Sequence, residues 1–131
     1  MPDSISIGLL GAGRIGKVHA AAIAATPRIH LAAVADAFAE PAAELAAAHG
    51  AEVRTIDEIM ASDDIDAVFV TTPTDVHADL LEQAARAGKA IFCEKPLDLD
   101  AGRATETLTV VRETGALLAL GFNRRYDPSF R

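Results

Sequence analysis

Short, continuous apolar runs recur along this chain, each followed by a longer segment with helical spacing. That alternation restricts the possible folds more than any other feature. The runs are Ile5 to Leu10, Ile29 to Ala35, Ala67 to Val70, Ala90 to Cys93 and Ala116 to Leu120, with a weaker one at Ala51 to Val53. Continuous rather than alternating apolar character is what a strand covered on both faces requires. In the first intervening segment Ile15, Val18, Ala22 and Ala25 share a face at three- and four-residue spacing. Pro41 suits the first turn of a helix that runs to His49 and stops at Gly50. Thr55 and Glu58 form a capping box. Asp75 is placed to cap a helix carrying Leu80, Leu81, Ala84 and Ala87, ended by Gly88. Asp98 or Asp100 caps another, with Ala101, Ala104, Leu108 and Val111 inward and Gly115 past its end. The expected order is βαβαβαβαβαβ, an α/β protein with a doubly wound, parallel six-stranded sheet of order 3-2-1-4-5-6, a Rossmann arrangement.

The 131 residues suit one domain. Half are apolar and 24% charged, a globular balance. Alanine dominates the apolar set and aromatics make up only 5%, so the elements must approach closely. A net charge of −7 argues against non-specific nucleic-acid binding and against an anionic membrane surface. The local exception is a basic cluster of Arg124, Arg125 and Arg131. No run reaches the ~18 apolar residues of a membrane span. The opening Met1-Pro2-Asp3-Ser4 lacks the basic start of a signal peptide. Cys93 is the single cysteine, so no disulfide forms within the chain. A soluble, cytoplasmic protein is expected, with neither nucleic acid nor membrane as partner.

Gly11-Ala12-Gly13-Arg14-Ile15-Gly16 is a G-x-G-x-x-G sequence that follows an expected strand and opens an expected helix. In that setting Gly11 permits the tight turn, Gly13 lets a pyrophosphate approach the backbone, and Gly16 lets the helix pack on the strand. The helix start offers N–H groups and a partial positive charge, with the Arg14 and Ile15 amides as the expected donors. Asp36 ends the second strand, twenty residues after Gly16. A carboxylate there accepts both hydroxyls of an adenosine ribose and repels a 2′-phosphate. Ala37 and Phe38 follow it, with no adjacent cation, so NAD is favoured over NADP. The competing reading is a strand-end Asp that caps the next turn. Ligands of such sheets lie outside the C-terminal strand ends. There stand Thr71-Thr72-Pro73, Glu94-Lys95-Pro96 and Gly121-Phe122-Asn123-Arg124.

Together these motifs resemble the N-terminal domain of the Gfo/Idh/MocA family of NAD(P)-dependent oxidoreductases. The resemblance is carried by G-A-G-R-I-G with Asp36, by T-T-P-T-D-V-H over Thr71 to His77, by E-K-P over Glu94 to Pro96, and by G-F-N-R-R-Y-D-P-S-F over Gly121 to Phe130. The last is most like the inositol dehydrogenases of the family. The resemblance implies that Lys95 is catalytic, reaching a substrate hydroxyl and the nicotinamide ribose, with a lowered pKa useful for proton transfer. It also implies that Thr71, Thr72 and Pro73 pack on the dinucleotide, with His77 at the following helix start. The backbone around Glu94 would face the nicotinamide, and Asn123 and Arg124 would line its side. The implied reaction is hydride transfer between a secondary alcohol of an inositol-like polyol or sugar and NAD. The alternative is a non-catalytic, NAD-sensing module of the same family.

Complete members of the family carry a second α/β domain that supplies most of the substrate pocket and the subunit interface. Residues 1–121 read as the dinucleotide domain and 122–131 as the start of a connector to such a domain, which this chain lacks. Cofactor binding with little turnover is the expectation for this chain alone, and its exposed edge and tail make self-association possible. Of the remaining candidates, His19 reads as helix packing and His30 and His49 as surface residues. Asp63, Asp64 and Asp66 read as a solvated loop rather than metal ligands, and Cys93 as a buried strand residue.

Overall fold

The computed structural model describes residues 4–94, 97, 98 and 100–121. Six strands form one sheet: β1 (Ile5–Leu10), β2 (Ile29–Ala35), β3 (Glu52–Val53), β4 (Ala67–Val70), β5 (Ala90–Glu94) and β6 (Leu118–Gly121). All neighbouring pairs are parallel, in the order β3-β2-β1-β4-β5-β6. Between them lie α1 (Arg14–Ala25), α2 (Ala39–His49), α3 (Ile56–Ala61), α4 (His77–Arg86) and α5 (Ala101–Thr114), with a short 3₁₀ turn over Thr74–Val76. The expected fold class and strand order are therefore present. The chain winds outward from β1 to β3, crosses back to β4, and winds outward again to β6. The reversal lies between β1 and β4, whose ends are level because Leu10 pairs with Val70. Leu10 also pairs with Ala35, Val70 with Cys93 and Glu94 with Gly121. This register brings Gly11, Asp36, Thr71 and Glu94 to a single edge of the sheet.

Helices cover both faces. On one, Ile7, Leu9, Leu31 and Val34 pack against Ala20 and Ile23 of α1 and Leu45 and Ala46 of α2. On the other, Leu10, Val68, Val70, Ile91 and Cys93 pack against Ile59 of α3, Leu81 and Ala84 of α4 and Val111 of α5. Leu31 and Val34 share a face despite their three-residue spacing because of a bulge. Ile7 pairs with Leu31 and Gly8 with Ala33, so Ala32 is skipped and the alternation shifts by one. No helix among the described residues is long and apolar enough to cross a membrane.

Three local expectations are corrected. The inward face of α1 is Gly16, Ala20 and Ile23, whereas Ile15 and Val18 are 44% and 59% exposed and Ala22 and Ala25 face solvent. The cause is Gly16, which must lie against the Gly11 carbonyl and so sets the rotation of the helix. Asp75 lies inside the 3₁₀ turn and caps no helix among the described residues, and α4 starts at His77; Ala87, placed on its inner face from spacing, is exposed.

The third correction concerns α5. Asp100 is its cap, its carboxylate accepting the Gly102 amide at 2.8 Å. Thr107 and Val111 are buried, while Ala101 and Leu108 are exposed, Leu108 by 41%. Polar contacts with α4 explain that rotation. The Arg103 guanidinium spans Asp79, at 2.7 Å, and Glu82, and the Thr107 hydroxyl donates to Glu82 at 2.9 Å. The acidic stretch before β4 is also structural. Asp64 takes a bidentate pair of bonds from Arg54, both 2.9 Å, and Asp66 accepts the Ser6 amide at 2.8 Å. The capping box at Thr55 and Glu58 is formed as expected.

The rotation of α4 and α5 is testable by urea unfolding. Leu81→Ala should lower stability by about 2–5 kcal/mol, because a fully buried side chain leaves a cavity. Leu108→Ala should stay within about 0.5 kcal/mol of the parent chain; equal losses would contradict the inner face assigned to α5.

Candidate functional site

The turn between β1 and α1 holds its shape through backbone crowding. Gly11 has φ +109°, and a Cβ there would lie 2.7 Å from the Thr71 carbonyl carbon and oxygen. A Cβ on Gly16 would lie 2.0 Å from the Gly11 carbonyl oxygen. The Thr71 hydroxyl, buried, is shared between the Leu10 and Gly11 carbonyls at 3.1 and 2.8 Å. The Gly11 amide donates to Ala35 and the Thr71 amide to Leu10, both at 2.8 Å. Gly11, Gly16 and Thr71 are thus one packed unit joining β1, α1 and β4.

Gly13 differs from its two neighbours. It is the N-cap of α1 with an extended backbone, φ −78° and ψ −161°, that any residue can adopt. A Cβ added there would meet nothing within 4 Å. Nothing in the described fold asks for glycine at this position, whereas a ligand that lies against the backbone does. Among the described residues no side chain caps the helix start, and its first turn carries no acid, so the partial positive charge of α1 is open to an anion. Arg14 and Ile15, the expected amide donors, occupy that exposed first turn.

Asp36 stands at the end of β2, half-buried, and it makes the turn cap of the competing sequence reading. One carboxylate oxygen accepts the Phe38 amide at 2.8 Å, which makes the turn cap. The other accepts the Ala12 amide at 2.6 Å, which ties Asp36 into the glycine turn. Each carboxylate oxygen accepts more than one hydrogen bond, so capacity for ribose hydroxyls is left.

At the end of β4 the polar side chains divide. Thr71 points inward, as described. The Thr72 hydroxyl is buried without a partner among the described residues. Pro73 is exposed. His77 begins α4 but is buried, and its Nε2 lies 2.7 Å from the Thr72 carbonyl oxygen, so it braces the loop. At the end of β5, Glu94 is bonded to His19 of α1. The His19 ring lies edge-on to Phe69, at 5.7 Å, and tilted against Phe92, at 5.0 Å. Packing was the role expected for His19, and it does pack, but it also reaches the site. The available signal was its position three residues after Gly16, one turn along the helix on the side that faces the sheet. Cys93, beside Glu94, has its thiol pushed up to about 12 by burial, with the Glu94 carboxylate adding to the effect. It stays protonated at neutral pH and is no nucleophile. Lys95, Asn123 and Arg124 lie outside the described residues, as does the basic cluster they border. No group of His, Cys, Asp or Glu suited to a metal ion occurs among the described residues.

Comparison with known proteins agrees with this geometry. Residues 5–122 match the model of an oxidoreductase family with an NAD-binding Rossmann fold. Inositol 2-dehydrogenase of Rhizobium meliloti (strain 1021) is 61% identical over 127 residues, covering 97% of this chain and 38% of that protein. The crystal structure of a myo-inositol dehydrogenase from Corynebacterium glutamicum superposes with a TM-score of 0.89 at 46% identity, covering 97% of this chain and 38% of that one. A scyllo-inositol dehydrogenase from Lactobacillus casei, solved with bound NAD(H) and scyllo-inositol, gives a TM-score of 0.89 at 36% identity over 96% of this chain and 38% of its own. This chain thus spans under two-fifths of the relatives it matches. With its glycine turn, its 3-2-1-4-5-6 sheet and a family match over nearly its whole length, the chain belongs to the Gfo/Idh/MocA oxidoreductases, as their NAD-binding Rossmann domain.

Proposed function

We propose that this chain is the cofactor-binding part of an oxidoreductase that moves hydride between a secondary alcohol of an inositol-like polyol and NAD. The observation that carries the reading is Gly13, a glycine with open space where its side chain would be, at an uncapped helix start. The relatives named above, one of them solved with NAD(H) and scyllo-inositol, supply the substrate class.

The residues divide the task by position along the sheet edge. The α1 amides at Arg14 and Ile15 bind the pyrophosphate, with Gly13 giving it access to the backbone. Asp36 takes the adenosine ribose hydroxyls and disfavours a 2′-phosphate. Thr71, Thr72 and Pro73 underlie the middle of the dinucleotide, with His77 bracing Thr72 from behind. Past Glu94, the Lys95 Nζ takes the proton of the substrate hydroxyl as the carbon loses hydride. Asn123 and Arg124 border the nicotinamide. Bound NAD supplies the hydride acceptor. In this reading residues 122–131 begin a connector, and a second domain would hold the polyol; the relatives are long enough for one, since this chain spans 38% of their length. Such positioning is worth roughly 7–11 kcal/mol, which Lys95 by itself cannot supply. This chain alone is therefore a binder with little turnover.

Fluorescence titration with NADH and NADPH tests the reading. Micromolar NADH binding with a weaker response to NADPH is expected; preference for NADPH, or no binding by folded protein, would overturn it. Asp36→Asn, which keeps an acceptor for the Ala12 amide but removes the charge, should narrow the preference.

The two kinds of glycine give a separate test. Gly13→Ala should leave the melting temperature nearly unchanged and weaken NADH by about tenfold, near 1.4 kcal/mol. Gly16→Ala should destabilise the fold itself, since its Cβ would overlap a carbonyl oxygen. If Gly13→Ala bound NADH as tightly as the parent, the pyrophosphate would not lie on that turn.

A further inference from the structure

We infer that His19 and Glu94 are a positioning pair for the nicotinamide half of the dinucleotide. The inference rests on the cofactor reading above and extends it to two side chains to which the sequence motifs give no part in binding. Asp36 marks the adenosine end of the site and Gly13 its pyrophosphate. A dinucleotide that continues past the reversal between β1 and β4 arrives at the end of β5, where Glu94 stands.

His19 lies on α1, the helix whose first turn faces the pyrophosphate, six residues beyond Gly13. Its Nε2 meets Glu94 Oε1, and the two side chains are only 19% and 16% exposed. A carboxylate withdrawn this far from water needs a polar partner, and the imidazole is one. The ring is itself held. Phe69 and Phe92 stack at 4.9 Å, and His19 lies edge-on to one and tilted on the other, which fixes the direction of its Nε2.

The far side of Glu94 is closed by β6. A Cβ on Gly121 would lie 3.2 Å from Glu94 Oε2 and 3.0 Å from Phe92 Cζ. Gly121 therefore leaves room for the carboxylate to lie flat against the strand end. The result is a bond from the pyrophosphate helix across to β5, gripped by rings from β4 and β5. Through the body of α1 it ties the helix start, at Arg14 five residues before His19, to the end of β5. Those are the two points between which the nicotinamide half must fit, and Lys95 is the next residue in the chain.

The test compares NADH with ADP-ribose, which has everything but the nicotinamide. His19→Phe keeps a ring on Phe69 and Phe92 and removes the bond; His19→Gln keeps an N–H donor. His19→Phe should bind ADP-ribose within about twofold of the parent but NADH about fivefold more weakly, the scale of one ordinary hydrogen bond lost. It should also lose the enhancement of nicotinamide emission, and His19→Gln should recover most of both. Glu94→Ala should show the same selectivity, and the double variant His19→Phe with Glu94→Ala should lose no more than either single one. Equal weakening of NADH and ADP-ribose, no weakening of either, or a His19→Gln no better than His19→Phe would each overturn the pair's role. If the parent chain bound neither ligand, the cofactor reading would fall and the pair with it. If the parent bound both and only the selectivity were missing, the pair alone would fall.

Discussion

Gly16 lies so close to the Gly11 carbonyl that no β-carbon fits between them, and the remaining features of the site follow from that contact. It brings the axis of α1 down onto the end of β1 and aims the helix start at the sheet edge. The turn that permits the approach is held by Thr71, whose hydroxyl sits between the carbonyls of Leu10 and Gly11. Because Thr71 directly follows β4, the same bonds lock the two strands on either side of the reversal. The crevice is therefore built by backbone packing at its floor.

The rotation imposed by Gly16 determines which side chains of α1 are available. Ala20 and Ile23 enter the core one and two turns later. Ile15 and Val18 are turned outward although they are the bulkier residues, because a helix pinned at a glycine cannot also bury the stripe two residues away. His19 is carried to the flank of the inward stripe, over Phe69 and Phe92. A helix rotated to bury Ile15 and Val18 would take the imidazole away from β5 and leave Glu94 without it. Packing at one glycine thus decides whether the two ends of the site are joined.

The architecture was legible in the sequence because each strand is a continuous apolar run and each crossover has its own helix signals. The six strands, their order and the capping box at Thr55 follow from those signals alone. What was not legible is rotation. Apolar spacing on α1 favours Ile15, Val18, Ala22 and Ala25, yet a contact between two glycines, invisible to any hydrophobic scale, decides against them. On α5 spacing favours Leu108, yet the Arg103 and Thr107 network with Glu82 turns the helix by a single residue. Alanine-rich helices are prone to this, since several faces are nearly equal in apolar content and polar or steric contacts settle the choice. Of the candidate site, the sequence marks the glycine turn and the strand-end carboxylate, while at His19 it shows a place on the helix and not the partner, which is 75 residues away.

Asp36 shows how closely cofactor choice and local structure are joined here. Its carboxylate holds the Ala12 amide just ahead of Gly13 and the Phe38 amide just after β2. In the proposed reading the same two oxygens meet the ribose. Removing the side chain to admit a 2′-phosphate would therefore also release the amide that leads into Gly13, where the same reading puts the pyrophosphate. Neutralising the carboxylate while keeping an acceptor separates the two effects at Ala12, because that tether needs only a lone pair whereas repulsion of the phosphate needs the charge; the Phe38 amide then loses its acceptor. A single carboxylate can serve both purposes because the register that makes Leu10 level with Ala35 places the end of β2 beside the start of the turn. Cofactor preference in this domain is, on that argument, a property of the β1–β2 alignment as much as of the aspartate.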